Sequence, residues 1–377
     1  MNAEPLSVAP VTLFLCGDVM TGRGVDQILP VPSDPVLHEP YVQSALEYVA
    51  MAEQANGPIP KPVGFPYIWG DALEELDRVA PAARIINLET SVTTSGCYES
   101  KGINYRMHPA NTPCLTAAKI DCCVLANNHT QDWGRSGLAD TIRALRKAGI
   151  KTAGAGHDLK EALTPAVIDV CGRSRVLVFA AGTGDSGIER EWAAAESTSG
   201  LALLPDLSEE TVALIAERVA SVKGEGDIAV LSIHWGENWG YEIPRQHRRF
   251  ARKLIDLAKI DVVYGHSSHH RKGIEIYKSK AILYGCGDFL NDYEGIAGYE
   301  EFRSHLVLAY FATVDPASGN LLRLEMAPFQ IRRIRLQRAA AQDAAWLSDL
   351  LAREGRALGT RTSLDPRNHL ILLWERS

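Results

Sequence analysis

The segment Asp261-Val-Val-Tyr-Gly-His-Ser-Ser-His-His270 sets imidazoles directly after an apolar run that reads as a buried strand. Histidine is the commonest metal ligand, and a strand ending in Gly-His-x-x-His presents its rings at the carboxyl edge of a sheet, where open α/β sheets bind ligands. The arrangement recurs upstream. Asp18 follows the run Val11–Cys16, Glu89 follows Arg84–Asn87, Asn128 and His129 follow Asp121–Ala126, and His234 follows Asp227–Ile233. Gathered at one edge, Asp18, Glu89, Asn128, His234, His266 and His269 form a set of carboxylate, amide and imidazole donors. Hard oxygen with imidazole suits one or two divalent ions of Mn, Zn, Fe or Ni and excludes a thiolate site. Such ions polarise a phosphoryl or carbonyl oxygen and acidify bound water, and His129 is placed to act as a general acid. Arg23 and Arg106 suit a carboxylate or phosphate of a substrate, and Trp235 is grouped with them as substrate-binding. Plainer roles stay open: Asp18 as a helix N-cap, Glu89 as an exposed acid, the two arginines as structural ion pairs.

Positioning these groups requires a sheet whose strands end together. Helices are expected at Asp71–Val79, Thr112–Lys119, Leu138–Ala148, Ser208–Lys223 and Arg245–Lys259, alternating with strands in the order that implies parallel βαβ units. Farther on, Ile274–Tyr277 and Ala281–Tyr284 read as a hairpin, followed by strands Leu306–Thr313, Leu321–Met326 and Ile331–Leu336; these antiparallel strands suggest a second sheet. A helix Ala340–Arg353 and a strand Leu370–Trp374 finish the chain. Residues 31–66 are proline-rich and read as an insertion with one helical stretch, Tyr41–Gln54; loops of such length are usually functional lids or mobile. The chain is thus read as a single domain over 1–377, with a core at 10–336, the insertion at 31–66 and a C-terminal helix and strand in 337–377.

With 377 residues, 46% of them hydrophobic and 23% charged, the composition is that of a globular protein with ample core. The net charge of -7 gives no support for nucleic acid or an anionic membrane as a partner. No apolar run approaches the ~18 residues of a membrane span, and Met1–Pro10 lacks the pattern of a signal peptide. Seven cysteines, with Cys122 and Cys123 adjacent and no Cys-x-x-Cys pair, favour reduced, buried thiols and a cytoplasmic location. The oligomeric state is not legible.

The motifs Gly-Asp-Val-Met, Asn-Leu-Glu-Thr, Ala-Asn-Asn-His, His-Trp-Gly and Tyr-Gly-His-Ser-Ser-His-His occur here in that order. Together they resemble the CapA family of poly-γ-glutamate capsule synthesis proteins. The likeness to the branch termed polyglutamine synthesis accessory proteins extends over nearly the whole chain, including Arg23-Gly-Val-Asp-Gln27 and Leu283-Tyr-Gly-Cys-Gly-Asp288. The resemblance implies a calcineurin-like metallophosphoesterase fold, an α/β architecture of two sheets in a sandwich flanked by helices. By position, Asp18 then matches the first ligand carboxylate, Glu89 stands where phosphoesterases place a bridging aspartate, and Asn128–His129, His234 and the pair His266 and His269 match the remaining motifs. There are two departures: Met20 stands where phosphoesterases have a histidine, and an additional residue separates the last histidines, so that Ser267 or His270 competes with His266. The implied reaction is hydrolysis or transfer at an amide or phosphoester of a polyglutamate- or peptide-type substrate. A CapA-like branch that matures lasso peptides is similar too, and implies Cα epimerisation with Asp18 and His305 as the proton-transfer pair. A non-catalytic accessory role in a polymer-synthesis complex is the remaining alternative.

Overall fold

Side chains alternate along each strand, and this period of two sorts the apolar residues into layers. In the computed structural model, which describes residues 9–170 and 174–375, Val176 and Val178 join one buried cluster while Leu177 and Phe179 join another. Ile228 and Val230 likewise part from Ala229, Leu231 and Ile233. On the amino-terminal strand, Leu13 and Leu15 enter the cluster of Val176, whereas Phe14 and Cys16 enter a third. The middle cluster is therefore shared by the inner faces of two sheets. The other two clusters lie under helices on their outer faces, so the strands of both sheets are buried on both sides.

The architecture is mixed α/β. An eleven-stranded sheet runs in the order Asp288–Leu290, Asp18–Val19, Ala83–Leu88, Val11–Cys16, Leu306–Val314, Leu321–Ile331, Leu370–Trp374, Thr360–Leu364, with Cys122–Val124 and Lys151–Ala153 continuing from Ala83–Leu88 and Leu336–Arg338 pairing with Leu321–Ile331. A six-stranded sheet runs Ile274–Tyr277, Lys280–Leu283, Val262–His266, Ile228–His234, Arg175–Gly182, Ala166–Asp169. This corrects the expectation that the late antiparallel strands form the second sheet. Leu306–Val314 pairs with Val11–Cys16 and extends the first, and the second is built mainly from the parallel strands of the middle of the chain. Strand Thr360–Leu364 was not expected; its exposed, polar face hides the usual apolar alternation.

Helices cover the outer faces where their apolar stripes allow. Arg245–Asp256 buries Phe250, Ala251, Leu254 and Ile255 on one side against the outer face of the second sheet. Glu209–Val222 starts at Ser208, whose hydroxyl accepts from the Thr211 N–H, a cap worth about 1 kcal/mol. In the insertion, the helix is Ala45–Asn56; Val49 and Ala52 pack into the first outer cluster. Among the described residues no helix is long and apolar enough to cross a membrane. Five described cysteines are buried, but Cys97 is exposed, against the expectation of burial for all seven; Cys171 lies outside the described residues.

One contact pins the sheets together below the strand ends, and a second closes the first sheet around Asp18. The Tyr264 hydroxyl, on the second sheet, donates to the Cys16 carbonyl and accepts from the Cys16 N–H at 3.1 Å. Gly17 lies so close to the neighbouring chain that a Cβ there would stand 2.1 Å from the Gly287 carbonyl oxygen. Only glycine admits this approach, and it sets Asp18 beside Asp288.

Candidate metal centre

Register brings the polar strand ends into line. Asp18 pairs with Asn87 on one side and Asp288 on the other, and Glu89 follows Asn87 by one turn of the pleat. On the facing sheet His234 pairs with His266, their rings stacked at 6.4 Å. Asp18 Oδ1 accepts from the Asn87 amide at 2.8 Å and lies 2.7 Å from His266 Nδ1, joining the two sheets. Ser267, held at φ 89°, turns its N–H to Asp18 Oδ2 at 3.3 Å. Positive φ at a non-glycine residue is costly and collects at functional sites.

Donor atoms of Asp18, Glu89 and His234 lie within 4.8 Å of one another, and all three residues are buried. Asn128 Oδ1 is 3.1 Å from His234 Nε2. His269 Nδ1 meets Asp288 Oδ1 at 2.8 Å. Its neighbour Asp288 also accepts from the Asn291 amide at 2.7 Å. His129 Nδ1 sits 2.7 Å from Asp132 Oδ2, which leaves Nε2 facing Glu89 Oε1 at 3.8 Å. Lys101 binds the other oxygen of Asp132 at 2.8 Å. Nearly all buried polar atoms in folded proteins have partners, yet Glu89 Oε2, His234 Nδ1 and His266 Nε2 have none.

The electrostatics suit a cation among these groups. Burial pushes the Glu89 carboxyl well above its usual range, and the neighbouring Asp18 and Asp288 carboxylates push it further. Asp288 is raised by burial too, against the pull of His269. Burial alone would raise Asp18, but His266, His234 and the Asn87 amide hold it below the ordinary carboxylate range. Burial lowers His234 to about 3 and, against Asp132, His129 to about 4. A neutral imidazole is the form that ligates metal. Clustered buried carboxylates with orphaned donors are costly unless a cation joins them, so the residues present fit a divalent ion.

Asp18, Glu89, Asn128, His234, His266 and His269 thus share one neighbourhood, and His129 borders it. Of the three residues competing for that position, His266 lies against Asp18 at 2.7 Å, His270 stacks on Phe302 at 4.5 Å, and Ser267 gives Asp18 its backbone N–H. The other sequence candidates go elsewhere. Arg23, expected to meet substrate, is 3% exposed and committed to Asp292 and Glu39, with its guanidinium 3.8 Å from the Tyr48 ring centre. Arg106 donates to the Ser95 and Asp34 carbonyls and lies over Trp133. Trp235 is buried, stacks on His247 at 4.6 Å and donates to the Tyr284 carbonyl. Hydrogen bonds within the chain thus take up most of their polar atoms, and Arg23 also enters the lining of a cavity. His305 is exposed on the rim of a cavity, and no hydrogen bond joins it to Asp18 among the described residues. Sequence reasoning missed Asp288, Asn87 and Asp132. Asp288 had a signal, the Gly285-Cys-Gly-Asp288 turn, and Asp132 another, its spacing of three from His129.

A family model described as "Bacterial capsule synthesis protein PGA_cap" matches residues 12–293. The chain is 48% identical over 362 residues to the "Probable polyglutamine synthesis accessory protein" of Mycobacterium tuberculosis (strain ATCC 25618 / H37Rv), covering 96% of this chain and 95% of that one. It is 27% identical over 297 residues to the "Capsule biosynthesis protein CapA" of Bacillus anthracis, covering 76% of this chain and 63% of that one. Among solved structures, "GAP50 the anchor in the inner membrane complex of Plasmodium" aligns with 87% of this chain and 90% of that one at 9% identity and a TM-score of 0.32, too low to assign a fold.

Proposed function

The chain belongs to the bacterial capsule synthesis protein family, and from that premise we propose that it is a metal-dependent enzyme acting at an amide or phosphoester bond of a polyglutamate- or peptide-type chain. The observation that supports this reading most is the buried trio Asp18, Glu89 and His234, with donor atoms within 4.8 Å and unpartnered atoms beside them. Two sheets sharing a core with helices outside suit a sandwich of the metallophosphoesterase type, with the site at the strand ends. One or two ions of Mn, Zn, Fe or Ni would be held by Asp18, Glu89, Asn128, His234, His266, His269 and Asp288. Such an ion, when bound, polarises the scissile oxygen and acidifies water.

The chain's own residues supply the rest. Asp132 fixes the His129 ring by Nδ1, so that Nε2 is the atom free to take a proton from the attacking nucleophile and pass it on to a leaving group. Asn127 accepts the His129 and Thr130 N–H groups and donates to Asn87 and Leu88, which locks that loop to the Asp18 strand end. Pairing Asp18 with His305 for epimerisation is less favoured, because Asp18 is buried and already bonded to Asn87, His266 and Ser267.

Metal analysis of the purified protein and turnover of γ-glutamyl and α-peptide amides and an aryl phosphoester, with and without chelator, test the reading. Metal-dependent cleavage lost in Asp18→Asn and His234→Ala is the expected result. Deuterium incorporation at Cα in D2O without cleavage would replace hydrolysis by epimerisation. A protein that binds no metal and is indifferent to chelator would instead take the accessory role that the mycobacterial relative's name describes.

A further inference from the structure

A cavity of about 870 Å³ opens beside the cluster, with His269 and Tyr293 in its lining. It lies toward the upper end of the ~300–1,000 Å³ of small-ligand sites. Its walls differ in chemistry. The insertion contributes Val42, Tyr48 and Met51, and Trp239 stacks flat on Tyr299 at 3.9 Å and 4°. On the side formed by the start of strand Leu306–Val314 and the end of strand Leu321–Ile331 stand Arg303, His305 and Arg332.

The cationic side is built rather than incidental. Arg271 is fully buried and spends its guanidinium on the Phe302, Arg303 and Leu306 carbonyls, at 3.0 and 3.2 Å for the first two. A buried cation that binds only carbonyls, with no carboxylate, fixes the backbone that carries Arg303 and His305. Arg303 keeps one carboxylate, Asp343, at 3.4 Å, and its guanidinium lies 4.7 Å from the Trp346 ring centre. The Arg332 and His305 side chains make no hydrogen bond or ion pair among the described residues, although His305 lies in the field of Asp343, Arg271 and Arg303. The acids in the same lining pair with neutral groups: Glu294 accepts from the Asn56 amide and the Arg333 and Ile334 N–H groups, Glu300 accepts from the Gly298 N–H, and neither forms an ion pair with Arg332 or His305 among the described residues.

We infer that this cavity is a subsite for an extended, largely uncharged peptide-like chain bearing one carboxylate, the chain lying along Trp239, Tyr299 and Tyr48 and the carboxylate meeting Arg332, Arg303 and His305. The inference rests on the proposed reaction for its reacting end and adds the selectivity of the other end. A polyanionic chain carrying a carboxylate on every residue fits the cavity badly. Most of its charges would face tyrosine, tryptophan, methionine and valine, or the two glutamates, and buried charge without a partner is costly.

The test is calorimetric titration of the full chain with acetyl-Leu-Tyr-Leu-Ala as free acid, the same peptide as its C-terminal amide, and tetra-γ-glutamate. The free acid is expected to bind about tenfold more tightly than the amide, the worth of one charge-assisted hydrogen bond, and more tightly than tetra-γ-glutamate. Arg332→Gln should cut the preference for acid over amide to about threefold or less and leave the affinity for the amide unchanged. Equal binding of acid and amide, a preference undiminished in Arg332→Gln, tighter binding of tetra-γ-glutamate, or no binding of either peptide each overturns the inference. Asp18→Asn separates it from the proposed reaction. Peptide selectivity retained in a wild-type protein that turns nothing over removes the reaction and leaves the subsite; turnover without selectivity does the reverse.

Discussion

Two buried clusters in this protein hold the same ingredients, a pair of carboxylates and a histidine with donor atoms inside 4.8 Å: Asp18, Glu89 and His234, and Glu75, Glu325 and His369. Their surroundings differ. Around the second, Arg78 and Arg338 bind Glu75, Arg78, Arg323 and Arg367 bind Glu325, and His369 Nδ1 meets Glu325 Oε1 at 2.7 Å. Every carboxylate oxygen there has a cation. Around the first, no arginine contacts Asp18 or Glu89 among the described residues, and donor atoms of Glu89, His234 and His266 lack partners. Proximity of ligand-type residues is therefore no metal signal by itself. What distinguishes a metal centre from an ion-pair network is whether the protein has already supplied the positive charge.

The comparison breaks if the clusters answer alike to perturbation. The largest effect is expected at the ion-pair network. Glu325→Ala strands guanidiniums and an imidazole and should cost about 3 kcal/mol in denaturant unfolding, the low end for a broken buried pair because the arginines are partly solvated. Metal binding by the same variant should be unchanged. Next is Asp18→Asn, which should weaken Mn or Zn binding by at least ~100-fold in calorimetry, more than loss of an outer-shell partner usually costs. It should also abolish the rise in melting temperature expected of the wild type at saturating metal.

The sequence showed the first cluster and hid the second, for a physical reason. A strand that must stop at a ligand-binding edge stops on glycine or a polar residue, so Asp18, Glu89, Asn128, His234 and His266 each stand at the end of an apolar run and can be read locally. Glu75 lies on the amphipathic helix Ala72–Val79, Glu325 inside the strand Leu321–Ile331 and His369 in the tail; nothing local joins them. The same limit explains the arginines. Whether Arg23 is free to meet a substrate depends on Asp292, 269 positions away, and residue type carries no trace of that partner. It also explains why the late strands read as a separate sheet: antiparallel pairing is legible in a hairpin, but the strand that hairpin joins is decided by long-range register.

Acid sharpens the contrast. Glu325 is held down to about 2 from 4.5, first by His369 and against its own burial, with Arg323 adding. A depressed carboxyl contributes stability above its unfolded pKa and loses it as pH falls through the folded value. The stability difference between wild type and Glu325→Gln should therefore be full above about pH 4.5 and shrink toward pH 2, a change on the order of 2 kcal/mol in urea titrations.

Glu89 should do the opposite, and by the smallest margin. Its carboxyl is raised by burial and by Asp18 and Asp288, so the folded chain binds its proton more tightly than the unfolded chain does. Where the native state holds more protons, stability falls as pH rises. In the presence of chelator, then, wild type should lose stability relative to Glu89→Gln as pH climbs above the ordinary value of 4.5. Near neutrality the variant should be the more stable protein, by roughly 1 kcal/mol or less once water reaches the site. Saturating metal should reverse the order, because the carboxylate that burdens the metal-free cluster is then a ligand. If Glu89→Gln destabilises the chelated protein, the Asp18 cluster is an ion-pair network like its counterpart, and the charge it lacks is supplied by the chain itself.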